Sequence, residues 1–246
     1  MAMKASSAFV HAQTPAAPAR PRGGRSAFTL VELLVVIGII ALLVTILMPS
    51  LGRARLYAYQ VMCQNNHHVL TTATHLYTSD WDQRLPFSNW LSQEDNRGTW
   101  RGPGWLYQYP NMTALQDLEA GSLWPFVGSH DAYRCPADKP PYEGKTHAIT
   151  SYMMNGAVTG YGARLPAFQF TDFRADAIIF WEVGTGSWND GSSTPSEDIT
   201  KRHKDGAVVS CMGAYTEWIR YEDFYREETR LPGRLWCNPE AADGWR

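Results

Sequence analysis

The chain starts with a polar, basic stretch, continues with a long apolar run and then changes to an amphipathic pattern. The run at 30–47, LVELLVVIGIIALLVTIL, holds a single charged residue, Glu32. About 20 apolar helical residues cross the hydrocarbon core of a bilayer, so this run predicts a membrane-spanning helix. It is apolar on all sides, which argues against a helix lying on a protein surface.

The helical pattern resumes after Pro49. Apolar residues recur at spacings of 7, 4, 7, 4 and 3 and so share one helical face: Leu51, Ala58, Met62, Val69, Ala73 and Leu76. This stripe predicts a helix over 29–79, with a kink at Pro49, where a backbone hydrogen bond is lost. The second half of the helix then needs a sheet to cover its stripe.

Candidate strands lie in the second half of the chain. The segments 146–155, 176–183 and 206–220 are rich in β-branched and aromatic residues and are bounded by turns. Residues 81–145, rich in Pro, Gly and Trp, predict a long ordered loop region with a short helix near 113–120. We therefore predict an α+β fold with a long N-terminal helix packed on a mostly antiparallel sheet.

The segment before the apolar run has four basic residues and no acidic one over 1–27, namely Lys4, Arg20, Arg22 and Arg25. A basic flank of this kind keeps the N-terminus in the cytoplasm and directs the C-terminal part outward. A secretory signal peptide is the competing interpretation. It requires a small-x-small cleavage site after the apolar run, whereas Pro49 and a continuing helical pattern follow here.

The junction of leader and apolar run reads Phe28-Thr-Leu-Val-Glu32. It resembles the leader of type IV prepilins and type II secretion pseudopilins, which is basic and followed by FTLxE. The resemblance implies that a prepilin peptidase cuts between Ala27 and Phe28 and methylates the new amine of Phe28. The family prefers glycine before the cut, and this chain departs from it with Ala27, which is also small.

The same resemblance gives Glu32 a role in assembly: it neutralises the N-terminal amine of a neighbouring subunit in the filament. A carboxylate in hydrocarbon needs such a cation. The implied partners are the peptidase, other pilin or pseudopilin subunits and the inner membrane. The implied location is a single-pass anchor with the globular domain in the periplasm or outside. The expected parts are a cleaved leader (1–27), a membrane or filament-core helix (28–49), its soluble half (50–80) and a globular domain (81–246).

The resemblance continues more sparsely beyond the anchor. The segment from Ser50 to Leu70, which contains a cysteine-asparagine element, is similar to a prepilin-like subfamily, as is the RCPAD run around Cys135. That subfamily often has a histidine followed after nine residues by Asp-Gly. Here His203 is followed by Gly213 and Ala214, so no role is carried over to it.

Four scattered cysteines without a C-x-x-C pair favour disulfides over a zinc site in an oxidising compartment. We predict Cys63–Cys135 and Cys211–Cys237 bridges, with the other two connectivities and reduced, buried thiols left open.

Metal and cofactor motifs are weak in this sequence. Asp80 and Asp82 could begin a calcium loop, but Gln83-Arg84-Leu85 breaks the alternation of oxygen ligands, so a solvated helix exit is preferred and no cofactor is expected. The consecutive His67 and His68 point to different sides of a helix and are expected on the surface.

No sequence motif for catalysis is present: nucleophile elbow, HExxH and phosphate loop are all absent from the sequence. The titratable residues Glu182, Glu197, Asp198 and His203 could meet, but their spacing does not require it. The chain is therefore not expected to be an enzyme. Hydrolysis dependent on Glu182 or His203 would be needed to support an enzymatic function.

Two functions remain open. The first is a structural subunit of a pseudopilus or pilus-like filament. The alternative is a membrane-anchored glycan-binding protein with a surface platform made of Trp81, Trp90, Trp100, Trp105 and Trp124, although large rings also serve to bury area in a loop-rich domain. Nucleic-acid binding by bulk charge is excluded, since 22 basic and 24 acidic residues give −2.

Overall fold

The computed structural model describes residues 28–89, 102–108, 114–140, 149–162, 166–184, 191–197 and 199–245. Its helices are α1 (Leu30–Asp80), α2 (Trp124–Val127) and α3 (Tyr221–Glu228). Its strands are β1 (Tyr152–Asn155), β2 (Ile178–Glu182), β3 (Ser192–Ser193), β4 (Gly206–Cys211) and β5 (Thr216–Arg220). Short 3-10 helices lie at Leu115–Ala120, His130–Tyr133, Gly156–Gly162 and Phe170–Asp172. The chain divides into two compact units: the first ends at Met48 and the second begins at Pro49.

The described part of the first unit, residues 28–48, is helical from Leu30 onward and has no buried residue. Within the described residues, α1 is the one helix long and apolar enough to cross a membrane. A helix whose apolar side chains are exposed on every side requires a lipid or protein environment. This is consistent with a single-pass membrane anchor.

The second unit contains one five-stranded sheet in the order β3-β1-β2-β4-β5. All neighbouring pairs are antiparallel except β1 and β3, which are parallel. The α+β prediction is confirmed. The predicted strand 206–220 is a hairpin of β4 and β5, because Ala214 adopts a left-handed turn conformation (φ 61°). Residues 146–148 of another predicted strand lie outside the described residues.

The sheet is covered on both faces, which explains why β1, β2 and β4 are buried throughout. Alternate residues of β4 belong to different cores: Val208 packs with Leu70 of α1, and Val209 packs in a second cluster with Phe224 of α3. The C-terminal segment joins that second cluster through Leu235. Neither α3 nor this covering of the second face was predicted.

The predicted apolar stripe of α1 is buried only in part. Ala73 is buried, but Leu51, Met62 and Leu76 are exposed, and most of the buried side chains lie roughly a third of a turn away. Those buried residues are largely small or polar: Cys63, His67, Leu70, Thr71, Ala73, Thr74, Tyr77 and Thr78. The threonines fit against the sheet because their hydroxyls are satisfied within the helix, as where Thr74 Oγ1 donates to Leu70 O at 2.9 Å.

Candidate functional site

The first turn of α1 is fixed by a reciprocal capping arrangement. The backbone N–H and the hydroxyl of Thr29 both donate to Glu32 Oε2 at 2.8 Å, and Glu32 N–H donates to Thr29 Oγ1 at 3.2 Å. Threonine before a helix with glutamate three residues later satisfies two of the helix's unpaired N–H groups. This T-x-x-E pattern is visible in the sequence. The hydrogen bonds of the cap hold the Glu32 carboxylate close to Phe28, which is exposed.

A second polar site lies inside the globular unit, where four segments distant in sequence meet. Cys63 comes from α1, Cys135 from the loop after the 3-10 helix at His130–Tyr133, Glu182 from the end of β2, and His203 from the turn before β4. All four are buried, and one donor atom of each lies within 4.8 Å of the others. His203 Nε2 is 3.4 Å from Cys135 Sγ and 3.2 Å from Glu182 Oε1.

The electrostatics of this cluster are dominated by the Glu182–His203 pair. Burial opposes ionisation of Glu182, yet the hydrogen bond and positive charge of His203 outweigh it and lower the pKa of the carboxyl to about 2. Burial also opposes the imidazolium of His203, but hydrogen bonds to Cys135 and Glu182 raise its pKa to about 9. Since a buried charge is tolerated only when it is paired or binds a metal, Glu182 and His203 depend on each other for their charged forms.

The two thiols differ in character. Burial raises the pKa of Cys63 well above its usual value. The hydrogen bond from Cys63 lowers the pKa of Cys135, and the hydrogen bond from His203 acts in the same direction, whereas burial opposes them. Cys135 is therefore the thiol of this site with the greater thiolate character.

His67 lies next to this cluster, four residues after Cys63 and hence on the same face of α1. It is fully buried, so its predicted surface position is wrong, whereas His68 is exposed as expected. His67 Nδ1 is 3.2 Å from Ser210 Oγ, and its Nε2 has no hydrogen-bond partner among the described residues. Burial lowers the pKa of His67 to about 4, so its ring is neutral at pH 7.

Comparison with known proteins bears on the first of these two sites. Residues 22–48 match the family model described as the prokaryotic N-terminal methylation motif. The chain carries a prepilin-type cleavage and methylation motif. The match includes Ala27, which lies outside the described residues, together with Phe28 and Glu32. No curated protein and no solved structure matches the chain.

The motif indicates a type IV pilin-like protein that a prepilin peptidase processes. The matched segment contains the capping arrangement and most of the apolar helix. It ends at Met48, where the first compact unit also ends. The match therefore describes the anchor of this pilin-like chain, and the globular unit has to be interpreted from its own geometry.

All four cysteines of the pilin-like chain are free thiols, so neither predicted disulfide is formed in this structure. Cys211 belongs to the second core cluster, where Arg234 Nη2 lies 3.4 Å from its sulfur, whereas Cys237 packs against the first cluster. Cys63 and Cys135 are adjacent, whereas Cys211 and Cys237 pack in different clusters. Both bridges stay predictions.

The turn after α1 positions Asp80 and Asp82 at the surface. Asp82 and Gln83 have left-handed backbone conformations (φ 53° and 60°), and Asp82 lies 3.9 Å from Arg84 in an exposed ion pair. Neither aspartate belongs to a group of three or more metal-binding side chains within the part of the chain that the structure describes. The geometry favours a helix exit over a calcium loop.

The tryptophans of the predicted platform do not share one surface. Trp105 is fully buried and stacks on Tyr133 with ring centroids 6.0 Å apart, whereas Trp81 is 60% exposed. Trp105 therefore serves the core. The remaining members are Trp124, which is partly buried, and Trp90 and Trp100, which lie outside the described residues.

Proposed function

We propose that this pilin-like chain is a structural subunit of a pseudopilus or type IV pilus-like filament of the type II secretion kind. The observation that carries the proposal is the methylation motif at 22–48, with Glu32 as the one charged residue at 30–47. An ionised carboxylate in hydrocarbon is costly unless it has a partner. In a filament, the amine of Phe28 from a neighbouring subunit supplies that partner.

The exposed apolar helix supports this function because it suits two environments in turn. Before assembly its side chains face lipid tails, and after assembly they face the same helix in neighbouring subunits. Both surroundings are apolar, so transfer between them costs little in apolar solvation. The globular unit is then carried on the surface of the filament.

A second feature in support lies on the soluble half of α1. The apolar stripe of Leu51, Met62 and Leu76 remains 71%, 52% and 48% exposed, because the sheet covers a different face. Contiguous exposed apolar surface marks an interaction site. A second copy of this chain, aligned through the same helix in the filament, buries this stripe.

The proposed orientation follows from the charge around the anchor. The basic leader holds the N-terminus in the cytoplasm, where the peptidase acts, and the globular unit lies in the periplasm or outside the cell. The other proposed partners are subunits of the same or of related type. Nothing in the described residues favours glycan binding or catalysis over this structural role.

The proposal is tested by recovering filaments by mechanical shearing from cells that express the full chain together with an active or an inactivated prepilin peptidase. We expect polymer in the sheared fraction with the active peptidase and unassembled, membrane-bound chain with the inactive one. Chain that remains entirely membrane-bound and monomeric in both strains would contradict a filament role and favour an anchored protein.

A further inference from the structure

We propose that Cys63, Cys135, Glu182 and His203 form a structural zinc site that fastens α1 to the sheet. This inference concerns the globular unit and does not depend on filament assembly. The four residues come from four separate segments, so a single ion bound by them would hold the long helix, a loop and one end of the sheet, at the neighbouring strands β2 and β4, together.

The distances fit a four-coordinate ion. With Zn–S bonds of about 2.3 Å and Zn–N or Zn–O bonds of about 2.0–2.2 Å, neighbouring donor atoms in a tetrahedron lie about 3.3–3.8 Å apart. His203 Nε2 is 3.4 Å from Cys135 Sγ and 3.2 Å from Glu182 Oε1, and all four donors lie within 4.8 Å of one another. The remaining donor pairs would close by about 1.5 Å at most to reach these separations.

The donor types and the burial select zinc and a closed, structural site. Two thiolates, an imidazole and a carboxylate are ligands that Zn²⁺ accepts in tetrahedral geometry, whereas calcium and magnesium require oxygen ligands. All four residues are buried. Four protein ligands fill the coordination shell, which is typical of a structural and not of a catalytic zinc.

Zinc binding to these four residues would release protons from its ligands. Zn²⁺ displaces the thiol protons of Cys63 and Cys135 and any proton on His203 Nε2, and Glu182 binds as a carboxylate. Two thiolates and a carboxylate around a divalent cation leave one net negative charge. A buried site of this charge needs hydrogen-bond donors aimed at its anionic ligands.

Such donors are in place. Ala137 N–H donates to Cys135 Sγ at 3.4 Å, and Val208 N–H donates to Glu182 Oε2 at 2.7 Å, which leaves Oε1 directed at His203. These donors come from backbone segments next to the ligands, so they are held in place by the fold itself.

The remaining anionic ligand, the Cys63 thiolate, has a tyrosine hydroxyl as its hydrogen-bond donor. Tyr152 Oη lies 3.4 Å from Cys63 Sγ and accepts a hydrogen bond from Asn66 Nδ2 at 3.2 Å. Because the lone pair of Tyr152 is engaged by Asn66, its O–H proton is available to Cys63. Each anionic ligand thus has its own donor, as in metal sites whose second shell orients the first.

A disulfide between Cys63 and Cys135 is the competing outcome, since thiols outside the cytoplasm oxidise. That bond would remove both sulfur ligands and leave the Glu182–His203 ion pair buried, with Val208 N–H as a further donor to Glu182. Zinc instead engages all four groups and keeps the two thiols from oxidising.

The test measures metal on the full chain, purified in detergent without chelators or added reductant. We expect about one zinc ion per chain by elemental analysis, with a drop to near zero in Cys135→Ser. The matched control is Cys211→Ser, which also changes a buried cysteine but lies in the other core. It should retain the zinc of the parent.

A second readout uses cobalt on the unmodified chain, so it does not depend on how well a variant folds. Replacing zinc with Co²⁺ should give thiolate-to-cobalt charge-transfer absorption and the visible bands of tetrahedral cobalt, both abolished by excess zinc. Absence of these bands in the reduced chain would overturn the proposal. A Cys63–Cys135 disulfide, found by non-reducing peptide mapping of chain taken directly from the cell envelope, would also overturn it.

Discussion

Glu32→Gln is expected to leave membrane insertion and removal of the leader intact and to reduce the sheared filament fraction to near background. Glutamine has the shape of glutamate and can still accept the hydrogen bonds of Thr29, so the cap of α1 persists. It lacks the charge, so the amine of a neighbouring Phe28 would have no anionic partner in the apolar filament core. Immunoblots of membrane and sheared fractions measure both effects.

The matched control is Thr29→Ala, which removes the side-chain half of the capping box and keeps the carboxylate. If charge pairing governs assembly, this variant forms filaments close to the parent level. Equal loss of filaments in both variants would mean that assembly depends on the whole first turn of α1 and not on the charge of Glu32 alone, and normal assembly of Glu32→Gln would show that this charge has no role.

Trp105→Ala is expected to destabilise the globular unit by about 3–5 kcal/mol, the usual cost of truncating a large buried aromatic residue. The ring of Trp105 packs edge-on against Phe180 at 5.1 Å, and its Nε1–H donates to Gly191 O at 2.6 Å. The substitution leaves a cavity and removes one of the two hydrogen bonds that Gly191 O accepts, the other coming from Met154 N–H at 3.0 Å. Thermal unfolding of the full chain in detergent should show a midpoint lower by roughly 6–20 °C.

Trp81→Ala provides the control because it removes the same side chain from a position that is 60% exposed. We expect its unfolding midpoint to lie within a few degrees of the parent. A similar loss of stability in both variants would contradict a core role that is specific to Trp105. The tryptophan platform would then again be a candidate binding surface.

The anchor could be predicted from the sequence because its signals are local. Eighteen residues with one charge define the apolar helix, and the leader and FTLVE stand in one continuous segment. The α+β arrangement also follows from local patterns, since β2 and β4 are runs of apolar and β-branched residues.

The buried face of α1 could not be predicted in the same way. Hydrophobic periodicity favours the stripe that contains Leu51 and Leu76, but the sheet covers mainly the face of Cys63, His67 and the threonines. Residues of this kind count as polar in a sequence pattern, although their hydroxyls are satisfied inside the helix. Which face is covered depends on the shape of the sheet, a tertiary property.

Only half of the polar cluster was anticipated: Glu182 and His203 stand among the residues that could meet, but nothing joined Cys63 and Cys135 to them. The members are separated by up to 140 residues and no local spacing joins them. Two weak signals in the sequence point to a buried polar cluster. Glu182 ends the otherwise apolar strand IIFWE, and a carboxylate in such a strand indicates a buried partner. His67 follows Cys63 by one helical turn, which indicates a shared polar face.

The proposed maturation at Phe28 and the polymerisation are tested together by the intact mass and N-terminal peptide of the chain recovered from sheared filaments. We expect a polymer of chains that begin at Phe28 and carry a single methyl group on its amine. Polymer that retains residues 1–27, or a mature chain that begins after the apolar helix, would refute the proposal.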